Sequence, residues 1–413
     1  MFPVSSHRAS DARLSEDQKQ KSIGVLVLGT ADWDQQIATN QHYVVREISS
    51  LPGATVDYVE SMGLRRPQLS RRDFRRVLSR LRRVVSRKSE SIRRARPSNL
   101  IVHSPLAIPS SSTIAQVLNA RISRRIARRR WNKNELRLLW TYTPETHGIE
   151  DLGTAVVYHC VDLLGKVPGI SEERINFAER ALARKNVLAI ASSEVVRDHL
   201  VRMGFRNILL WENVADVAPI SEAMRHCTRD DSRVIFAGNL SPSKVDFDLL
   251  AELSRAGANV CVAGPRAEGG GHIGPELDRI VAAGVSDLGH LGFEQLAAEL
   301  ASSSVGLIPY VKNEYTQGVS PLKTYEYAAA GLPVVATDLP GVHPEANLIF
   351  KEADRLAFIR RTLSVLASVT TGQRNQLIAI AENNSWARRG LEIRSLATRL
   401  LYGGHDEDCE LIT

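Results

Sequence analysis

Short apolar runs alternate with longer segments of helical periodicity from Ser22 onward. Apolar runs of this length, bounded by turn residues, are typical of buried strands, and their alternation with helices indicates a parallel sheet covered on both faces. The pattern predicts an α/β protein. In the first half we expect strands that begin at Ile23, Thr55, Asn99, Leu136, Ala155, Val187 and Ile208, and in the second half strands that begin at Arg233, Ala258, Val305 and Leu332.

A polar stretch between the two groups of strands predicts a division into two doubly wound, Rossmann-like domains. A chain of 413 residues is long enough for two such domains. Ligands of doubly wound sheets bind beyond the carboxyl ends of the strands, so we expect the site in a cleft between the domains. The expected divisions are a tail at 1–21, a first domain at 22–215 with a basic helical region at 65–137, a linker at 216–231, a second domain at 232–382, a terminal helix at 383–402 and a tail at 403–413.

The terminal helix begins near Asn383, which is a candidate N-cap residue. Apolar residues recur along one side of this segment, and they require a surface on which to be buried. They are Leu391, Ile393, Leu396, Leu400 and Leu401.

The composition, 43% hydrophobic and 24% charged, is that of a globular protein. No apolar run is long enough to span a bilayer, and the first twenty residues are too polar for a signal peptide, so we expect a cytoplasmic protein. The four cysteines are scattered without a CxxC pair, which indicates neither a zinc site nor a disulfide framework.

The net charge of +7 is unevenly distributed. The segment 65–96 holds 14 basic and 2 acidic residues, and the segment 121–137 holds 8 basic and 1 acidic. Helical spacing of apolar residues from Phe74 to Val85 predicts a basic amphipathic helix there. That helix either packs on the first domain with its charges in solvent or contacts the inner face of a membrane through anionic head groups. We do not expect nucleic acid as a partner, because no nucleic-acid-binding motif accompanies the charge.

The stretch from Ser304 to Val342 carries the most specific chemistry. Ser320 and Pro321 have the residue types of an N-cap and a first helical position, and a helix start favours phosphate groups. Lys323 could add positive charge beside a diphosphate, and Glu326, on the same helical face, could accept hydrogen bonds from a ribose diol. The alternative is a surface Lys–Glu pair across one helical turn.

The pattern SPLKTYEYAAAGLPVV in this stretch resembles the donor-binding half of the GT-B glycosyltransferases. It is most similar to family 4 (glycosyl transferases group 1) and to the relatives that make teichuronic acid and xanthan. The segment AGNLSPSK resembles the glycine-rich loop of that family, and the resemblance implies that Gly238, Asn239 and Lys244 bind the donor. An arginine is common in the family where this chain has Asn239. The resemblance also implies a UDP- or GDP-sugar donor and no metal requirement. It further implies a GT-B architecture in which the terminal helix with Trp386 crosses back to the first domain.

The sequence identifies the catalytic residues less clearly than the donor-binding residues. The resemblance implies that Glu326 is the second member of a family glutamate pair, but Gly318 occupies the first position and Glu314 lies four residues earlier. By resemblance to inverting relatives, Asp162 is a candidate general base, with a cap of the following turn as its alternative role. His159 is the other candidate base, and a buried strand histidine with a structural hydrogen bond is its alternative.

The loop after the first strand supplies Asp32, Trp33 and Gln36, and His42 follows it. The resemblance implies that this loop approaches the acceptor or the transferred sugar. Trp33 could stack on a sugar ring or be packed in the core.

The expected function is transfer of a sugar from a nucleotide diphosphate sugar to a hydroxyl of a saccharide or lipid-linked acceptor, in cell-envelope or exopolysaccharide synthesis. Two alternatives stay open. A nucleotide-sugar epimerase of the same fold would turn over its substrate without an acceptor, and a basic nucleic-acid-binding protein would ignore nucleotide sugars.

Overall fold

The computed structural model describes residues 21–35, 38–61, 94–105, 113–167, 169–185, 187–266 and 273–403. Within these residues the strands form two all-parallel sheets with helices packed against them. Side by side, the strands of the first sheet begin at Leu100, Ala54, Ile23, Leu136, Ala155, Leu188 and Ile208, and those of the second begin at Ser286, Asn259, Arg233, Val305, Val334 and Ile349. The predicted α/β class with two doubly wound domains is confirmed.

The inner strands of the first sheet are largely apolar and buried, as expected when helices cover both faces, whereas its two edge strands are partly exposed. The strands are β1 (Ile23–Leu28), β2 (Ala54–Val59), β3 (Leu100–His103), β4 (Leu136–Thr141), β5 (Ala155–Cys160), β6 (Leu188–Ala191) and β7 (Ile208–Leu210). The helices of this part are α1 (Asn40–Ser49), α2 (Thr113–Trp131), α3 (Glu172–Ala183) and α4 (Glu194–Met203).

The second sheet repeats this organisation around a separate hydrophobic core. Its strands are β8 (Arg233–Ala237), β9 (Asn259–Ala263), β10 (Ser286–Asp287), β11 (Val305–Ile308), β12 (Val334–Thr337) and β13 (Ile349–Glu352). The helices are α5 (Val217–His226), α6 (Phe247–Arg255), α7 (Gly274–Ala282), α8 (Phe293–Ala301), α9 (Glu314–Gln317), α10 (Lys323–Ala329), α11 (Arg355–Ser368), α12 (Thr371–Asn383) and α13 (Trp386–Tyr402).

All the predicted strands are present, but two edge strands, β10 and β13, were not predicted. β10 has only two residues, and β13 is the mixed sequence IFKE, so neither carries an apolar run that periodicity can detect. The segment 216–231, predicted as a linker, holds helix α5. Its single buried side chain, Ile220, joins the core of the second sheet, which explains why the segment looks polar in the sequence.

The last helix, α13, crosses back to the first domain as predicted. The ring of Trp386 stacks on that of Tyr43 in α1 with 4.5 Å between centroids and 6° between planes. The helix begins after Ser385, whose hydroxyl caps the N–H of Arg388, and not at Asn383. Leu391 was expected in the buried stripe, but it is 61% exposed because it lies on the outer side of the helix.

Two features of the described residues bear on partners. No helix in these ranges is both long and apolar enough to cross a membrane. Of the basic segment 65–96, only 94–96 are described, so the predicted amphipathic helix lies outside the described residues. The exposed arginines of α2 line an open groove of about 660 Å³ on the surface; they are Arg121, Arg124, Arg125, Arg128 and Arg129.

Candidate functional site

A cavity of about 560 Å³ lies in the cleft between the two domains, where strand ends of both sheets face each other. Loops that follow β1 and β8 and the last residue of β9 contribute to it, as expected for doubly wound sheets. Its first-domain wall includes Trp33, Ala38, His42, Tyr43, Arg46, Arg94, Ala95, Arg96, Pro97 and Asp216. Its second-domain wall includes Gly238, Ala263, Gly264, Pro265, His290, Leu291, Phe293, Leu296, Leu322, Lys323 and Glu326, and Trp386 completes the lining.

Gly238 and Gly264 bring two loops of the second-domain wall into direct contact. Gly264 has φ of +146°, a conformation that side chains rarely adopt, and a Cβ there would overlap the carbonyl oxygen of Gly238. A Cβ on Gly238 would lie 2.8 Å from Cε of Lys323. The lysine side chain is therefore held against the bare backbone of the glycine-rich loop, and its ammonium group is available at the cavity wall.

Lys323 and Glu326 lie together on α10, with 3.5 Å between Nζ and Oε2. Their side chains are only 19% and 10% exposed, so this is not the solvated surface pair considered as an alternative. Oε2 of Glu326 is buried and accepts no hydrogen bond from the described residues. The ion pair with Lys323 is longer than a good hydrogen bond, so this buried oxygen still has the capacity to accept one, which a ligand hydroxyl would supply.

Asn239 and Lys244, the other residues of the glycine-rich loop, do not line the cavity as it stands. Both polar atoms of the Asn239 side chain are buried without a hydrogen-bond partner among the described residues. The ammonium of Lys244 lies over the rings of Tyr310 and Tyr315, at 5.1 and 5.9 Å from their centroids. The structure therefore brings Gly238, Lys323 and Glu326 together and leaves Lys244 beside the aromatic pair.

The helix start differs from the prediction. α10 begins at Lys323 with Leu322 as its N-cap residue, and no side chain caps it. Ser320 is buried, and its carbonyl oxygen accepts a hydrogen bond of 2.6 Å from Nδ2 of Asn213 in the first domain. Ser320 thus lies at the contact between the domains and not at the N-cap.

The loop after β1 forms an aromatic cluster on the first-domain wall. The ring of Trp33 lies 5.1 Å from that of His42 and 5.3 Å from that of Tyr58, so both neighbours pack on it. Nε1 of Trp33 is buried without a hydrogen-bond partner among the described residues. Asp32 is half-buried but is not part of the cavity lining, and Gln36 lies outside the described residues.

The imidazole of His42 is neutral and fixed. Nδ1 accepts from the backbone N–H of Thr39 at 3.0 Å, and Nε2 donates to the carbonyl oxygen of Trp33 at 3.1 Å. Burial and the charge of Arg94 lower the pKa of His42 to about 4. Because both nitrogens of the neutral ring form hydrogen bonds with the backbone, His42 fixes the conformation of this wall and has no free nitrogen to act as a general base.

The two candidate bases lie on β5 and just beyond it. His159 is buried among Tyr142, Trp140 and Trp211, and its Nδ1 has no hydrogen-bond partner in the described part of the chain. Burial, with a smaller effect of the Arg389 charge, lowers the pKa of His159 to about 3. His159 lines no part of the cavity, so the structure places it in the core of the first domain.

Asp162 follows β5, where it is half-buried and also outside the cavity lining. Its backbone carbonyl accepts a hydrogen bond from the Cys160 thiol at 3.4 Å. The next residue, Leu163, packs on Gly318 of the second domain so closely that a Cβ on this glycine would lie 2.7 Å from Cδ1 of Leu163. Asp162 therefore lies beside the junction between the domains.

Gly318 shows why this chain lacks a glutamate there. Its carbonyl accepts a hydrogen bond from the Ser193 hydroxyl at 3.1 Å, and Leu163 fills the space a side chain would need. Glu314 also lies at the junction, since it pairs with Lys166 of the first domain at 3.0 Å. Glu314 is thus a partner in a contact between the domains.

Three arginines of the first-domain wall were not identified from the sequence. Arg46 lies on α1, while Arg94 and Arg96 end the basic segment and bind the loop after β1. Arg94 donates to the carbonyl oxygens of Trp33 and Gln35. Nothing local distinguishes these arginines from the many others in the chain, because only the tertiary structure brings them to the cleft.

Comparisons with known proteins show which proteins this chain is similar to. Residues 231–368 match the family model of the glycosyl transferases group 1. This segment contains β8 to β13, the glycine-rich loop and the Lys323–Glu326 pair. Most of the second domain is therefore similar to the corresponding part of the group 1 glycosyltransferases. The resemblance read from SPLKTYEYAAAGLPVV is thereby confirmed.

One curated relative of this chain is a putative teichuronic acid biosynthesis glycosyltransferase, TuaH, of Bacillus subtilis. It is 34% identical over 107 residues, which are 25% of this chain and 26% of the relative. The chain thus matches about a quarter of the length of that curated relative.

Solved structures that match more than nine-tenths of the chain show the GT-B fold. Sucrose-phosphate synthase from Thermosynechococcus elongatus has a TM-score of 0.66 at 16% identity, and the match covers 92% of this chain and 100% of that one. Anabaena HepE in complex with UDP has a TM-score of 0.61 at 14% identity, with 91% and 99% covered. The E. coli structure bound with UDP-2-fluoro glucose has a TM-score of 0.61 at 12% identity, with the same coverage.

The described residues contain no group of three or more His, Cys, Asp or Glu side chains that could hold a metal ion. The positive charge at the second-domain wall comes from Lys323. A lysine held against a glycine-rich loop can stabilise phosphate oxygens directly.

Proposed function

We propose that this protein transfers a sugar from a nucleotide diphosphate sugar, UDP- or GDP-linked, to a hydroxyl group of an acceptor in cell-envelope or exopolysaccharide synthesis. The observation that carries the proposal is the buried pair Lys323–Glu326 beside Gly238 in a cleft of about 560 Å³. A cavity of this size accommodates a nucleotide sugar. Three of the similar structures contain UDP, UDP-glucose or UDP-2-fluoro glucose, and the curated relative is a putative glycosyltransferase of teichuronic acid synthesis.

The residues of the proposed donor site have distinct roles. Lys323 stabilises the diphosphate as it leaves with the nucleotide, because an ammonium group in a cleft offsets developing negative charge. Glu326 accepts hydrogen bonds from the ribose hydroxyls, which satisfies its buried Oε2. Asn239 and Lys244 belong to the loop that contacts the phosphates, and their side chains reach the donor after the loop adjusts. Lys323 also makes a metal unnecessary in this proposal.

The test is calorimetric titration of UDP and of GDP into the protein, with EDTA and then with Mg²⁺. We expect one nucleotide to bind without metal. Lys323→Ala and Glu326→Gln should each weaken binding roughly 10- to 100-fold, the effect of losing one charged hydrogen bond. Lys312→Ala is the matched control, because Lys312 is an exposed lysine of the same domain outside the cavity. Failure of both nucleotides to bind would contradict the proposal.

For the base, we propose Asp162 in an inverting reaction. The residue after Asp162, Leu163, packs on Gly318, which occupies the position of the sugar-proximal glutamate in the resembling family, whereas His159 is enclosed and has a pKa of about 3. We expect Asp162→Asn to lower kcat at least 100-fold with unchanged UDP affinity. The anomeric configuration of the product, measured by NMR, tests the mechanism, because retention would remove the need for this base.

We further propose that the protein binds the inner face of the membrane peripherally. The five exposed arginines of the α2 groove support this proposal, because clustered arginines are attracted by anionic lipid head groups. The test is sedimentation with vesicles of phosphatidylglycerol and phosphatidylcholine against vesicles of phosphatidylcholine alone. Binding should require the anionic lipid and should be lost on replacing Arg121, Arg125, Arg128 and Arg129 by Glu.

A matched charge reversal elsewhere on the first domain tests whether vesicle binding depends on the α2 groove or only on the net charge of the protein. Replacing four exposed arginines of α3, α4 and the adjoining turns by Glu should leave vesicle binding intact; these are Arg180, Arg184, Arg202 and Arg206. Equal loss in both variants would contradict a specific α2 surface. A mobility shift with duplex DNA, run on the same variants, tests the nucleic-acid alternative.

A further inference from the structure

Arginines predominate among the charged side chains that line the first-domain wall of the cavity, and the proposed donor does not use them. The charged side chains of this wall are three arginines, Arg46, Arg94 and Arg96, and one carboxylate, Asp216. Asp216 accepts a hydrogen bond from the Tyr43 hydroxyl at 3.1 Å. The imidazole of His42 on the same wall is neutral, and so it adds no charge.

The three arginines differ in whether their guanidinium groups already form hydrogen bonds or ion pairs. Arg96 pairs with Asp34 at 2.7 Å, and Arg94 donates to two backbone carbonyls of the same loop. Arg46 is different, because its Nε lies 3.3 Å from Glu47 while neither Nη atom has a partner among the described residues. Glu47 is itself shared with Arg394. The guanidinium of Arg46 therefore keeps donors available to a ligand.

We infer that the first-domain wall binds an acceptor that carries a phosphate group and that Arg46 contacts this phosphate. The inference rests on the proposed function and specifies its acceptor class. A guanidinium with both Nη groups available matches phosphate oxygens in a bidentate geometry. Arg94 adds positive potential on the same wall, because its guanidinium donates to uncharged backbone carbonyls, whereas the charge of Arg96 is paired with Asp34. Tyr43, over whose ring the Arg46 guanidinium lies at 5.1 Å, holds the arginine in place.

The phosphate could belong to a soluble sugar phosphate or to a lipid-linked acceptor. The two share the same recognition chemistry, so the experiment contains an arm for each. Inorganic phosphate is the minimal probe, glucose 6-phosphate against glucose is the soluble arm, and a polyprenyl phosphate in neutral phosphatidylcholine vesicles is the lipid arm. Binding is measured by calorimetry for the soluble probes and by sedimentation for the vesicles, on protein saturated with UDP so that the donor site is filled.

We expect inorganic phosphate and one of the two arms to bind and to bind more weakly as ionic strength rises. Arg46→Gln should weaken this binding roughly 10- to 100-fold, while its UDP affinity stays within about twofold of the wild type. Arg206→Gln, an exposed first-domain arginine outside the cavity, is the matched control and should leave both affinities unchanged.

Three results would overturn the inference. They are failure of every phosphate probe to bind, unchanged phosphate binding in Arg46→Gln, and an equal loss of UDP and phosphate affinity, which would assign Arg46 to the donor diphosphate. If UDP does not bind the wild type, the phosphate titrations are made on the free protein. Phosphate binding that depends on Arg46 would then preserve this subsite although the proposed donor site has failed.

Discussion

Lowering the pH below neutrality should destabilise the first domain through His159. Its folded-state pKa is about 3, against an ordinary value of 6.5, because burial disfavours the charged ring. Between these values the unfolded chain binds a proton at this side chain and the folded protein does not, so the free energy of unfolding falls as pH decreases. Each pH unit below 6.5 removes about 1.4 kcal/mol, and the loss at pH 5 is therefore about 2 kcal/mol.

Replacing His159 by Phe tests this magnitude. Phe keeps the aromatic contacts with Tyr142 and Trp211 but does not titrate, and any packing cost is the same at both pH values. The difference in unfolding free energy between pH 8 and pH 5 should be smaller in His159→Phe than in the wild type by about 2 kcal/mol. The pH dependence that remains in His159→Phe includes the contribution of His42, whose pKa is lowered to about 4 mainly by burial.

The assay is urea unfolding followed by tryptophan fluorescence. All five tryptophans belong to hydrophobic clusters of the first domain, so the signal reports the domain that contains His159. A pH dependence that is identical in the wild type and in His159→Phe would refute the reasoning. It would mean that His159 is protonated in the folded state or that it titrates alike in both states.

Two further predictions concern packing in the cleft and in the crossing helix. Gly264→Ala should destabilise the second domain by at least ~3 kcal/mol, because the new Cβ would overlap Gly238. Gly257 also has positive φ but no atom within 4 Å of an added Cβ, so Gly257→Ala should cost only ~1 to 2 kcal/mol. Thermal unfolding of both variants measures the two costs, and equal costs would exclude the overlap with Gly238. Trp386→Ala should lower the free energy of unfolding by ~3 to 5 kcal/mol, because it removes the stack on Tyr43. Leu391 is exposed, so Leu391→Ala should change the free energy of unfolding by less than ~0.5 kcal/mol. Similar decreases in the two variants would contradict the assigned orientation of α13.

Local sequence pattern was sufficient where the structure depends on local interactions. Buried parallel strands need β-branched and apolar runs, so the strands from Ile23 to Leu332 could be located, and their alternation with helices predicted the doubly wound class. The group 1 segment was recognisable because its glycines and its Lys323–Glu326 pair occur at fixed spacing within one continuous stretch.

Side-chain surroundings could not be predicted in the same way. Ser320 and Pro321 have the residue types of a helix start, but Asn213 of the first domain binds the Ser320 carbonyl and the helix begins at Lys323. The contact that excludes a side chain from Gly318 comes from Leu163, more than 150 residues earlier in the chain. Such contacts depend on how two domains meet, and a local sequence pattern contains no information on that.

The sequence by itself thus determined the α/β class, the return of the last helix to the first domain and the stretch that carries the donor-site residues. Tertiary structure alone decided that His159 is enclosed among aromatic rings and that Asp162 lies beside the domain junction. It also decided that Arg46 faces the same cavity as Lys323. The physical reason is that propensity and periodicity act over a few neighbouring residues, whereas burial and charge pairing depend on segments that only the folded chain brings together.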